Sequence, residues 1–154
     1  TATIVGEFAE ELRDKVVITM ANAMVKVGKE FQPLVPPRGS IAAHVQAEIP
    51  HSRVVAAMQH LPAKELGNLD YKVDSDVLIC SDFPEAIEVV SDLVQQIPGC
   101  RPLNTGRLSN ALALEAFTAV LLQLNVRYKT RVAPRLTGIP DIDPRNGRKT
   151  TIAE

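Results

Sequence analysis

Asp76-Val77-Leu78-Ile79-Cys80, followed after Ser81 by Asp82-Phe83-Pro84-Glu85, decides how this chain is read. The first five residues form a short apolar run of the kind that fills a strand buried on both faces. The next four carry the marks of a helix start. Asp82 is an acceptor for first-turn amides, Pro84 stands where a missing N–H costs little, and Glu85 completes a capping-box-like pattern. The helix is predicted to run to Gln96 with Ala86, Val89, Val90, Leu93 and Ile97 inward, until Pro98-Gly99 stops it. A buried strand feeding a helix is the repeating unit of α/β proteins.

Working outward, the same signals recur. Val16 to Met20 and Arg53 to Met58 are β-branched runs that read as strands, and Cys100 to Asn104 is a further short one. Ser40 caps a predicted helix over 41–48, ended by Pro50. Thr3 to Arg13 reads as the tail of a helix with Ile4, Phe8, Ala9 and Leu12 on one face, and implies a preceding strand that the sequence does not contain. Residues 21–37 hold Gly28, Pro33, Pro36 and Pro37 and read as a loop. Residues 59–70 read as irregular, with one helical turn at Ala63 to Leu66. A long helix is expected from about Leu108 to Lys129. The expected class is α/β: a mostly parallel sheet with flanking helices and a long C-terminal helix. Three segments are expected: 1–37, 38–130, and an extended basic tail over 131–154 whose last dozen residues are disordered or wrap a neighbour.

Composition narrows the function by exclusion. The chain has 154 residues, 45% hydrophobic and 23% charged, with a net charge of -1, so no charge excess points to nucleic acid or an anionic membrane. Leu108 to Val126 is apolar enough to raise the question of a membrane span, but Glu115 in its middle favours a buried helix. There is no signal-peptide pattern, so a cytoplasmic setting with Cys80 and Cys100 reduced is expected. No Gly-x-Gly-x-x-Gly or Walker-type loop is present. His44, His51 and His60 form no metal spacing, and Ser40 and Ser109 lack a nucleophile elbow. Asp74 and Asp76 read as turn or cap residues at a strand entry.

One stretch is out of the ordinary: Gln59-His60-Leu61-Pro62-Ala63, directly after a strand. In parallel sheets ligands bind beyond the carboxyl ends of strands. His60 there either donates to a ligand carbonyl or satisfies loop backbone. The loop after Met20, with Asn22, takes the equivalent place on the other strand.

Pro33-Leu34-Val35-Pro36, Gln59-His60-Leu61-Pro62-Ala63, Asn68-Leu69-Asp70, Arg101-Pro102-Leu103, Leu108-Ser109-Asn110, Arg127-Tyr128 and Leu136-Thr137-Gly138 stand in an order and spacing that resembles the NADPH-dependent coenzyme F420 reductases. The likeness runs over roughly residues 1–140. It implies a Rossmann-type domain that binds NADP, of which residues 1–37 are the end, and a smaller portion that encloses the deazaflavin, coenzyme F420. It further implies hydride transfer between the two cofactors, and a homodimer. Carried over by position, Gln59, His60, Leu61 and Pro62 line the deazaflavin pocket, Leu136 and Thr137 approach the same ring, and Asn22 and Pro36 lie near the nicotinamide. The family often has histidine in the place of Gln59, and glycine where Ala133-Pro134 stands. Lacking the glycine-rich turn, the chain alone is expected to be inactive. Two alternatives remain: a related NADP-dependent reductase with another acceptor, and a non-catalytic oligomerisation or binding module built on the long helix, where Leu112, Ala116, Ala119, Leu122 and Gln123 cover more than one face.

Overall fold

A computed structural model describes residues 2–68 and 70–140. The chain order is α1 (Ala2–Gly6), β1 (Val16–Thr19), β2 (Met24–Val27), β3 (Glu30–Pro33), α2 (Ile41–Glu48), β4 (Arg53–Ala56), α3 (Ala63–Leu66), β5 (Ser75–Ser81), α4 (Pro84–Gln95), β6 (Cys100–Asn104) and α5 (Ala111–Tyr128), the last entered through a 3-10 turn at Leu108–Asn110. The α/β class and the mostly parallel sheet expected from the sequence are what the structure has. The main sheet has the order β1-β4-β5-β6. β1 pairs with β4, and β5 with β6, in parallel; β4 meets β5 antiparallel, through Val55 opposite Ser81 and Ala56 opposite Cys80.

Strand alternation sorts the core into two layers. Val54 and Ala56 of β4 face α2 and α5, where Val45, Ile49, Ala111 and Leu114 close the packing. Val55 and Ala57 face the other way with Val77 and Ile79, against Ala86, Val90 and Val94 of α4. At about 25 cal/mol per Å² of apolar surface removed from water, these two layers are the main stabilising term.

Several expectations change. The first helix ends at Gly6 rather than Arg13. The amides of Glu7, Phe8 and Ala9 bond three residues back, as a series of tight turns. Gly6 is a weak helix propagator, and the segment gains from packing on α2 rather than from helix length. The expected loop over 21–37 contains a β-hairpin, β2–β3. Val27 pairs with Glu30 across Gly28-Lys29, and Gly28 takes φ 61°, the left-handed backbone that such two-residue turns require. Asp82 does not cap α4. Its Oδ1 accepts from Leu108 N at 3.2 Å, while Ser81 Oγ takes the Phe83 amide and the cap position is Phe83. The tail beyond Pro140, expected to be disordered or to wrap a neighbour, lies outside the described residues, as does Leu69.

α5 has the length and apolar character of a membrane span. In this fold it presents Ala111, Leu114, Glu115, Thr118, Ala119 and Leu121 to the interior. Its other side leaves Phe117, Val120, Val126 and Tyr128 exposed. Glu115 is nearly sealed, and its two oxygens accept from Ile41 N at 2.9 Å and Ala42 N at 3.0 Å. With Ser40 Oγ accepting from Ala43 N, the first three amides of α2 are all satisfied. Burial pushes the Glu115 carboxyl up, against the pull of those two amides. Glu115→Ala is expected to lower stability by about 3 kcal/mol, because it strands two buried donors. Ser40→Ala is expected to cost about 1 kcal/mol. Urea unfolding monitored by circular dichroism checks both.

Candidate functional site

The parallel pairing of β1 with β4, Thr19 opposite Ala56, brings their carboxyl ends out at one edge of the sheet. β4 stops because Met58 takes φ 68°, a left-handed conformation that is costly for a residue with a side chain. The chain then turns back on β1: Ala57 N donates to Thr19 O at 3.2 Å, and Gln59 Nε2 donates to the same oxygen at 3.3 Å. Because β5 and β6 run opposite to β4, their starts lie at this same edge. Asp76 N donates to Pro134 O, so the C-terminal segment occupies the flank of β5 that β4 has left.

A cleft of about 480 Å³ opens there. Its walls are the stretch 59–65, the inward side of α5 around Thr118, Leu121 and Asn125, and the strap residues Thr130, Arg131 and Val132. The strap is fixed at its root. Lys129 closes α5 in the left-handed conformation, Asn125 Oδ1 accepts from Val132 N at 2.6 Å, and Arg131 pairs with Glu65 across the cleft wall. Farther along, Leu136 N donates to Asp76 Oδ2 at 2.6 Å, and Arg101 donates to Leu136 O and Ile139 O, both at 2.7–2.8 Å.

The residues singled out from the sequence are placed as follows. Gln59, His60, Leu61 and Pro62 stand in the cleft wall. Asn22 sits just behind it: its Nδ2 donates to Met20 O, and its Oδ1 accepts from the hydroxyl of Thr118, a wall residue. Pro36 is half-buried in the loop before α2, with its carbonyl accepting from Gly39 N, and is not part of the wall. Leu136 and Thr137 are exposed on the strap beyond the wall. The His60 ring reaches across to the backbone of α5. Leu114 O, an acceptor only, lies 2.7 Å from Nε2, so Nε2 carries the proton and donates to it. The ring also meets Phe117 edge-on at 5.3 Å. Asp76, read as a turn residue, is instead a fully buried carboxylate on Arg101. No local signal marked it, since its partners lie 25 and 60 residues away.

The wall combines apolar surface from Leu61, Pro62, Leu121, Leu122 and Val132 with polar and charged side chains, Gln59, Thr118, Asn125, Glu65 and Arg131 among them. Gln59 Oε1 is buried with no hydrogen-bond partner among the described residues, an acceptor suited to a ligand N–H. No group of metal-ligating side chains occurs among the described residues. Both cysteines are free thiols, and burial pushes Cys80 up to about 12, which removes it as a nucleophile. A second cleft, about 410 Å³, lies at the opposite edge beyond the carboxyl ends of β5 and β6, near Asp82 and Arg107.

No family model matches the sequence. The F420-dependent NADP reductase of Methanocaldococcus jannaschii is 36% identical over 133 residues, which cover 85% of this chain and 60% of that protein. This chain is homologous to the F420-dependent NADP reductases. The reductase of Methanothermobacter thermautotrophicus is 37% identical over 91 residues, 58% of this chain and 39% of that one. A crystal structure from Arthrobacter sp. FB24, provisionally assigned as an F420-dependent NADP reductase, superposes with a TM-score of 0.73 at 19% identity, covering 84% of this chain and 60% of its own, and so shares the fold. The chain spans about 60% of the length of its Methanocaldococcus relative.

Burial holds the His60 imidazole below its ordinary pKa, outweighing the Leu114 carbonyl that favours its charged form. Below about pH 6.5 the unfolded chain takes up a proton that the fold resists, so stability declines as the pH falls. Thermal melts from neutral to acid pH are expected to show this slope in the unsubstituted protein and a flatter one in His60→Gln, which keeps a donor and does not titrate.

Proposed function

We propose that this chain forms the deazaflavin side of a site that transfers hydride between NADP(H) and coenzyme F420. The observation that carries the reading is the cleft at the joined ends of β1 and β4, found in a chain homologous to reductases named for those two cofactors. The cofactors supply the hydride donor and acceptor carbons, and the protein is left with binding, alignment and exclusion of water. Leu61, Pro62, Leu121 and Val132 offer the ring an apolar bed, and Gln59 Oε1 accepts from a ring N–H at its edge. Asn22, held by Met20 O and Thr118, and Pro36 form the side turned toward the nicotinamide. Leu136 and Thr137 bound the ring from the strap. The sequence holds no glycine-rich turn to cradle the pyrophosphate of NADP, so the nucleotide fits this chain only in part. We assign residues 1–37 to the end of the nucleotide-binding domain, 38–130 to the deazaflavin portion and 131–154 to the tail. The protein acts in the cytoplasm as a homodimer, with the exposed Phe117, Val120 and Tyr128 of α5 as the self-association face.

The direct test mixes the full-length protein with NADPH and oxidised deazaflavin and follows deazaflavin absorbance. Turnover is expected, and its absence in both directions with NADP(H) and deazaflavin removes the reading. Gln59→Leu keeps the volume and loses the acceptor, together with the weak Nε2 bond to Thr19 O. It is expected to raise the KM for deazaflavin about tenfold, the loss of one buried hydrogen bond, with the KM for NADPH unchanged.

A further inference from the structure

The strap raises a physical question. From Arg135 to Pro140 it is exposed, and only Pro134 of its outer part is buried, so hydrophobic burial does little to hold it. Backbone bonding fixes Pro134 through Asp76 N, and beyond it the outer part is held through one carboxylate. Asp76 has no exposed surface. Its Oδ1 accepts from Arg101 Nε at 2.7 Å, and its Oδ2 from Arg101 at 2.8 Å and from the Leu136 amide at 2.6 Å. Arg135 approaches Oδ1 at 3.4 Å and Asp74 at 3.6 Å. Arg101, aligned by Asp76, donates in turn to the Leu136 and Ile139 carbonyls.

A buried ion pair is a poor device for stability alone, since desolvation consumes most of its attraction, while breaking it leaves a charge stranded. Its geometric effect is larger. The fork of Arg101 and the amide of Leu136 fix the strap in direction as well as position. The strap is one continuous segment from the cleft wall at Thr130–Val132 to this clamp.

We propose that Asp76 is a positioning residue for the cofactor cleft: with Arg101 it holds the strap 131–139 in place, and so sets the wall that the strap contributes. The proposal rests on the deazaflavin reading of the cleft. Asp76 touches no cofactor; it acts through the strap. Loss of the clamp frees the outer strap, widens the cleft, and weakens binding of the ring while leaving the nucleotide side alone.

The experiment uses the full-length protein with Asp76→Asn and, as a second route to the same release, Arg101→Met. Circular dichroism first establishes that each variant is folded. Amide hydrogen exchange then reads the strap, and steady-state kinetics with NADPH and deazaflavin read the cleft. The expected result is faster exchange at Val132 and Leu136, a KM for deazaflavin raised tenfold or more, and an unchanged KM for NADPH. Unchanged strap exchange in both variants overturns the clamp. A released strap with an unchanged deazaflavin KM overturns the positioning role and leaves a terminal anchor. If both variants unfold, the carboxylate is a core group and the proposal also fails. Absence of turnover in the unsubstituted protein is a different failure. It removes the deazaflavin reading, and this proposal with it, before any substitution is made.

Discussion

The Glu115 carboxylate on the first amides of α2 is the contact on which the rest of this fold depends. α2 has only eight residues, too few to hold together in water by propensity. It needs its orphan donors satisfied and its apolar side covered, and α5 does both. Leu114 packs in the layer with Val45 and Ile49, while Glu115, one residue on, reaches the α2 amides. Together the Leu114 packing and the Glu115 cross-link seat α5 against α2. The seating of α5 then decides where Leu114 O meets His60, where Thr118 meets Asn22, and where Asn125 releases the strap. An apolar residue at 115 would remove a desolvation cost, but it would also leave two buried N–H groups unpaired, the larger penalty.

Sheet polarity is the second determinant of the site. In an all-parallel sheet every carboxyl end lies at one edge and every start at the other. Here the antiparallel step between β4 and β5 divides the ends into two pairs. The edge that carries the ends of β1 and β4 also carries the beginnings of β5 and β6. Asp76 and Arg101 therefore stand within reach of a tail that comes back from the end of α5. The same reversal creates the second cleft at the opposite edge.

Three titratable side chains in and around the core are held in one protonation state by their surroundings. His60 is kept neutral by burial, Cys80 is kept protonated, and Asp76 is engaged by two arginines and an amide. Burial alone raises the Asp76 carboxyl, yet the hydrogen bonds from Arg101 and Leu136 and the nearby guanidinium charges hold it below its usual value. The ionised form is thereby favoured.

Local periodicity and punctuation carried most of the architecture. The valine-rich runs of β1 and β4, the Ser40 cap, Pro84 at the start of α4 and the apolar length of α5 are all short-range signals, and each element appears near its expected place. The wall residues Gln59 to Pro62 were legible because they follow a strand, and ligands gather at strand ends. The hairpin β2–β3 was not legible: its strands have four residues each, and Pro33 argues against a strand. Only the tertiary structure decided the direction of β5, the donor role of His60 and the burial of Asp76. Each depends on partners far away in sequence, brought close by packing, and a carboxylate at a strand entry looks the same in sequence whether water or two arginines surround it.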